Sequence, residues 1–419
     1  MKKIFSLIAL TISFCINAQI STDATLNTGE FSSAIGSQTK ALGAFTTAAG
    51  KGSNATGERS TAIGNWTYAE GLYSTAIGYY TTANGTSATA LGDSTIAFGN
   101  WSTAMGAYTQ AIGEYSTAIG WKSFATGASS TAIGYSTGEE YTPGESNPYY
   151  KNEAAGDYSH VFGNRNKSFG MGSISIGSDN LSQGARSLAI GENNISTGAY
   201  SMAMGLYSES VGERSFAYGN NAYADGFNTI AIGSANTVDE NASADTWSVN
   251  NRLLVVGNGK YDEDTETLER SDAFTIMFNG DATLAGNLSV NSDASLKSNI
   301  TSLGSTIAKV LMLDGKSYSM KNDPENRVNI GLVAQNIEQA FPELVSESNG
   351  IKSVNYQGLI PVLINAVKEQ ESVIKKQEKR LIKLEKAIRK MNEKTLYIFI
   401  YYFITNQFIC NTIRHLKFR

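Results

Sequence analysis

Disulfides do not hold this chain together: of its two cysteines, Cys15 lies in a stretch expected to be removed, which leaves Cys410 alone. Proline is scarce, at 5 in 419 residues, which excludes collagen-like and proline-rich architectures although glycine is abundant at 41. Histidine is limited to His160 and His415. Neither has partners at the spacing of a metal site or a catalytic triad, so no metal and no cofactor is expected. Net charge is only −5, and no basic stripe accompanies the aromatics, which argues against nucleic acid as a partner. The repetitive part shows no carboxylate pair of the kind a glycan hydrolase needs. At this length one ordinary core does not suffice, so several units or an extended architecture are expected.

What is present begins with "MKKIFSLIALTISFCINAQ". Lysines, an apolar run and a small residue, Ala18, read as a secretory signal peptide over residues 1–18, so the mature chain is expected to be secreted or exposed on the cell surface.

Phrases such as "STAIGNWTYAEG" and "STAIGYYTTANG" then recur. A glycine stands at every seventh position from Gly29 to Gly134, and a second array with the same spacing runs from Gly156 to Gly233. The segment between breaks the phase by one residue and reads as a loop inserted at 135–155. Ile35, Ile63, Ile77, Leu91, Met105, Ile119 and Ile133 precede alternate glycines, so one coil is 14 residues. Alternation within "TAIG" suits short strands, and glycine is expected to supply a positive-φ turn at each half coil.

One coil cannot stand alone. Fixing each backbone costs roughly 1–2 kcal/mol, and one buried isoleucine returns only about 1.5–3 kcal/mol. Stacking is compulsory, which predicts a parallel β-solenoid over 19–233 with an interior filled largely by alanine. So thin a roll is expected to bury a face against identical copies. Trp66, Tyr79, Tyr80, Trp101, Tyr115 and Trp121 sit in the variable part of the coils, where they form either an exposed binding stripe or contacts between copies.

These coils resemble the head repeats of trimeric autotransporter adhesins of the YadA-like type. That resemblance implies a mainly β fold, a left-handed parallel β-roll assembled as a homotrimer, and a host-surface, matrix or glycan ligand; the family's outer-membrane β-barrel anchor is not recognisable. A rigid spacer without a specific ligand is the competing expectation.

After Gly233 the glycine period stops, and "NRLLVVGNGKYDEDTETLERSDAFTIMFNGDATLAGNLSV" reads as a β-rich neck over 234–291. "SDASLKSNI", "NIGLVAQNIEQAFPELV" and "SVNYQGLIPVLINAVKEQ" follow in order. Together they resemble the intramolecular chaperone auto-processing domain of phage tailspikes and endosialidases, the peptidase S74 family, over 292–359. The resemblance implies an α+β domain in which Ser292 and Lys297 form a cleavage dyad: Lys297 acts as base, and Ser292 attacks the carbonyl of Asn291, splitting Asn291 from Ser292 in one turnover per chain. Lysine serves as base only where burial or a positive neighbour leaves it neutral. Asp293 is expected either to position the turn or to pair with Lys297. The local alternative is a capped helix with Ser292 as N-cap.

Ile360, Val367, Ile374, Leu381 and Ile388 repeat every seven residues, which predicts a coiled coil over 360–394, with Gln370 and Gln377 as weak seam positions. Residues 395–419 form an apolar tail whose run from Leu396 to Ile413 approaches the length of a membrane span, with polar interruptions at Thr405, Asn406 and Gln407.

Overall fold

The computed structural model describes residues 24–136 and 151–416, except 263, 322, 324 and 325. The signal-peptide stretch and most of the expected loop insertion lie outside the described residues. The chain divides into two compact units, Met1–Ser289 and Val290–Arg419.

Each coil of the first unit contributes a five-residue strand, such as Thr61–Asn65, and a short one, such as Tyr68–Ala69. The short strands form one 14-stranded parallel sheet, from Leu26–Asn27 to Tyr223–Ala224. The five-residue strands stack likewise from Ser33–Ser37 to Ile230–Ser234. Register is strict: Ala62 faces Ala76, Ile63 faces Ile77 and Gly64 faces Gly78 on the next coil. The stack passes over the insertion without slipping, since Thr131 pairs with His160 and Ser123 with Asn152. Tyr135 and Asn152–Ala154 are strand residues, so the inserted chain is narrower than 135–155 and joins two strands of a single coil.

The structure reverses the expected burial of the isoleucines. Ala62 and Ala76 are fully buried, whereas Ile63 and Ile77 are each 38% exposed. A coil this thin fills the space between its two sheets mainly with small side chains, as the first-half core of Ala34 to Ala132 and of Ser60, Thr67 and Ser74 displays. The larger aliphatics are therefore turned outward, in one continuous column.

Glycine also works differently from the expectation. At Gly64 a Cβ would lie 1.9 Å from the carbonyl oxygen of Gly78, and at Gly71 it would lie 2.0 Å from that of Gly85. Only the first of these two has a positive φ, +139°. What the period secures is close approach of successive coils. The left-handed turn falls two residues later, mostly at non-glycine positions such as Trp66 (φ 56°), Tyr73 (59°), Tyr80 (51°) and Ser87 (56°), with glycine there only at Gly52 and Gly172 among the described residues. That conformation costs about 1–2 kcal/mol for an L-residue. Each such residue donates its N–H to the preceding coil, as Trp66 does to Lys51 and Tyr80 to Asn65, which offsets part of that cost.

Past the insertion the interior becomes more polar. Asn166, Asn180 and Asn194 are buried at the coil position held by Thr67, Thr81 and Thr95 in the first half. Asn180 accepts from the Asn194 backbone N–H at 3.0 Å and donates to the Gly191 carbonyl at 2.7 Å, so the amides form a ladder along the roll. Strand Arg252–Asn258 then continues the stack in parallel on Ile230–Ser234, and Asp272–Met277 and Ala282–Leu284 add antiparallel strands. A buried Arg252 sits at this end of the roll, paired with Asp225 and hydrogen-bonded to the Thr237 carbonyl. Burial pushes the Asp225 carboxyl above its usual range, and Arg252 opposes that shift.

In the second unit, strands Lys316–Tyr318 and Asn329–Gly331 pair, helix Ala334–Ala340 follows, and Val345–Ser348 pairs with Ile351–Val354. Its small core contains Ile337, Ala340, Phe341, Leu359 and Val362. The expected coiled coil and the apolar tail form one continuous helix, Leu359–Leu416. Pro361 falls in its first turn, where a missing N–H costs nothing. The heptad residues Val367, Leu381 and Ile388 are more than half exposed on the single chain. Among the described residues no helix is long and apolar enough to cross a membrane.

Candidate functional site

The second unit opens with an exposed segment running to Ser305. Within it a short 3₁₀ turn, Ala294–Leu296, brings together two side chains five residues apart. Lys297 Nζ donates to Ser292 Oγ at 2.5 Å. The two residues that the chaperone resemblance implies as a dyad are thus in contact, at the separation a nucleophile and its base require.

The cap of this turn is Asp293, not Ser292. Its carboxylate accepts from the Ser295 N–H at 2.8 Å and from Ser295 Oγ at 2.6 Å, and these hydrogen bonds hold its carboxyl below the usual range. Of the two roles considered for Asp293, the structure therefore supports positioning the turn, and its oxygens are spent on Ser295 instead of on Lys297. Ser292 is left free of capping duty. Asn291, whose carbonyl is the expected target, is exposed beside it.

Nothing in the single chain buries Lys297, which is exposed like every residue from Gly280 to Ser305. Desolvation is what turns a lysine into a base. The single chain does not supply that desolvation to Lys297.

One anchoring interaction was not legible in the sequence. Glu369, on the long helix, accepts from Ser305 Oγ at 2.6 Å and from the backbone N–H of Thr306, while Thr306 Oγ1 donates to the Val362 carbonyl at 3.0 Å. Thr306 is buried, and this is where the dyad-bearing segment is tied to the helix. The donors hold the Glu369 carboxyl below its ordinary range. A contact between positions this far apart along the chain leaves no local signal.

The aromatics singled out in the coils divide by position. Trp66 and Tyr80 occupy the left-handed turn that follows the five-residue strand, and Trp101 and Tyr115 the one that follows the short strand. Trp101 and Tyr115 stack with centroids 4.9 Å apart and planes 4° apart. Tyr79 and Trp121 end five-residue strands. No group of three or more metal-ligating side chains occurs among the described residues.

Two family models match the chain. One, the YadA head domain repeat, matches residues 28–53, 55–81, 83–109, 111–137, 182–208 and 210–236. The other, the chaperone of endosialidase in the Peptidase_S74 family, matches residues 292–346 and so begins at Ser292. No curated protein matches the chain. The stretch between the fourth and fifth head matches contains the insertion, yet its coils at His160–Asn164 and Ile174–Ser178 keep the same register.

Proposed function

From a chain that carries YadA head repeats followed by a chaperone of endosialidase, we propose an exported, homotrimeric surface fibre that acts as an adhesin through its head. The C-terminal chaperone aligns three chains and then removes itself by cutting between Asn291 and Ser292. The observation that carries the cleavage reading is the Lys297–Ser292 contact at the first residue of the chaperone match.

Trimerisation is supported by two apolar seams that a single chain leaves uncovered. The outward column of the head includes Ile63, Ile77, Met105, Ile176 and Phe162, and the helix presents its heptad residues. Both need partners of the same pattern, and a second and third copy supply them in register. The need for a chaperone follows from the strict repeat: a slip of one coil buries nearly the same residues, so the head by itself specifies register poorly. A C-terminal trimeriser fixes it from one end. Removal of that trimeriser afterwards makes unfolding hard to reverse.

In the cleavage step Lys297, neutral once desolvated, accepts the Ser292 hydroxyl proton while Oγ attacks the Asn291 carbonyl carbon. The bond between that carbon and the Ser292 nitrogen breaks, the nitrogen takes a proton, and water hydrolyses the resulting ester. Exposure of Lys297 in the lone chain ties this reaction to assembly, because packing of copies is the available source of burial.

A second reading, a purely structural fibre with an uncleaved clasp, is favoured by that same exposure. Binding of the purified fibre to host cells and matrix proteins separates adhesin from spacer: retention above a coil-deleted control supports the adhesin, and none supports the spacer.

A further inference from the structure

The left-handed residues after each short strand form a column along one edge of the roll, one per coil. Because each donates its N–H to the preceding coil in the same way, as Tyr73 does to Glu58, Ser87 to Leu72 and Trp101 to Thr86, their side chains start from equivalent points. Where neighbouring coils both carry rings, the rings stack: Phe31 on Phe45 at 5.1 Å, and Trp101 on Tyr115 at 4.9 Å. The Arg59 guanidinium lies 5.4 Å from the Tyr73 centroid and donates to its hydroxyl at 2.7 Å, which fixes that ring as well.

Ser87 interrupts this column. With a small side chain in its place, Tyr73 and Trp101 stand at equivalent positions two coil spacings apart, about 9.6 Å, with no ring between them. Two van der Waals contacts of about 3.5–4.0 Å take up most of that height and leave about 2 Å. One ring inserted flat between them fits this height, and a pyranose, with C–H bonds projecting from both faces, meets both aromatic faces there.

The chemistry of the slot is divided in the same sense. Its roof and base are rings about half exposed, Tyr73 at 48% and Trp101 at 48%. Its floor is the turn Asn84-Gly85-Thr86-Ser87, whose groups are polar. Asn84 donates to Glu70 at 2.6 Å, and the Thr86 N–H donates to Asn100 Oδ1 at 2.9 Å, so amides and a carboxylate are held at the slot's margin. A pyranose has apolar faces and a hydroxyl-bearing rim, which matches this division. The arrangement recurs at Ser129, between Tyr115 and Tyr158, on coils that stay in register across the insertion.

We infer that the edge slot between Tyr73 and Trp101, over Ser87, is a binding site for a pyranose ring of a surface glycan. This rests on the adhesin reading and names its ligand class.

The discriminating variant is Ser87→Tyr, which fills the slot. Tyrosine stands at the equivalent turn position one coil away, so the fold accommodates it. The full-length protein and this variant, together with Trp101→Ala, are applied to a printed array of pyranose glycans, and any glycan retained is titrated against Trp fluorescence. The expected result is retention by the wild type and an affinity at least about tenfold lower for both variants, with unchanged oligomeric mass. Retention of no glycan, or equal retention by Ser87→Tyr, overturns the inference. A change of oligomeric mass in Trp101→Ala also overturns it, because the edge then belongs to an interface between copies. If the fibre adheres to cells or matrix but retains no glycan, the adhesin reading stands and only the slot fails.

Discussion

Lys297 donates to Ser292 Oγ across a single 3₁₀ turn whose cap, Asp293, is occupied with Ser295. The contact is therefore made by local structure alone. Replacing Lys297 with arginine keeps the charge and the donor but removes a group able to give up its proton. General-base catalysis contributes about 10²–10⁴-fold, and the Lys297→Arg chain should process more slowly by that factor in a gel time course. A rate within tenfold of wild type would exclude the base role.

The outward aliphatic column gives a second expectation. Ile77→Asp places a charge where the seam between copies is proposed, while its neighbour Ala76 remains inside the roll. Light scattering of the full chain should show loss of trimer, with the β signal in circular dichroism retained, and Ile77→Ala should fall between the two. Intact trimer in Ile77→Asp would move the interface to another face.

The asparagine ladder predicts a stability effect. Asn180→Ala leaves the Gly191 carbonyl and the Asn194 N–H without their partner in a buried interior, at a cost of about 1–3 kcal/mol. Denaturant midpoints should fall accordingly, and Asn180→Thr, the residue used at this position in the first half, should recover part of the loss.

Much of this was legible from period alone. A strict 14-residue repeat admits one register, so coil length, stacking and the site of the insertion followed directly. The facing of the strands did not. Burial preference by residue type puts isoleucine inside, but the narrow coil is filled mainly by alanine, hydroxyl and asparagine side chains, and the preference is overruled. Glycine spacing likewise suggested turns, whereas Gly71 is required by the approach of Gly85 and the turn itself falls on Tyr73. Ser292 and Lys297 were singled out through the resemblance to the chaperone family, and only the geometry assigned the cap to Asp293. Glu369 had no sequence signal because its partners lie far away along the chain.

Acid should release the Glu369 tie. Its carboxyl is held below the ordinary range by the donors of Ser305 and Thr306, so the stabilisation is present above the ordinary carboxylate range and is lost as pH falls through the lowered value. Hydrogen exchange at the Thr306 amide should therefore lose its protection only well into acid, below about pH 4.3. In Glu369→Gln, which does not titrate, protection should be weaker and independent of pH over that range. Equal pH dependence in both proteins would contradict this role.

The central claim is that the chaperone removes itself at the Ser292–Lys297 dyad. Mass spectrometry and denaturing gels of the purified wild-type chain beside Ser292→Ala and Lys297→Ala test it most directly. The account predicts a fragment ending at Asn291 in wild type and intact chains in both variants. An intact wild-type chain, or cleavage that persists in either variant, would contradict it.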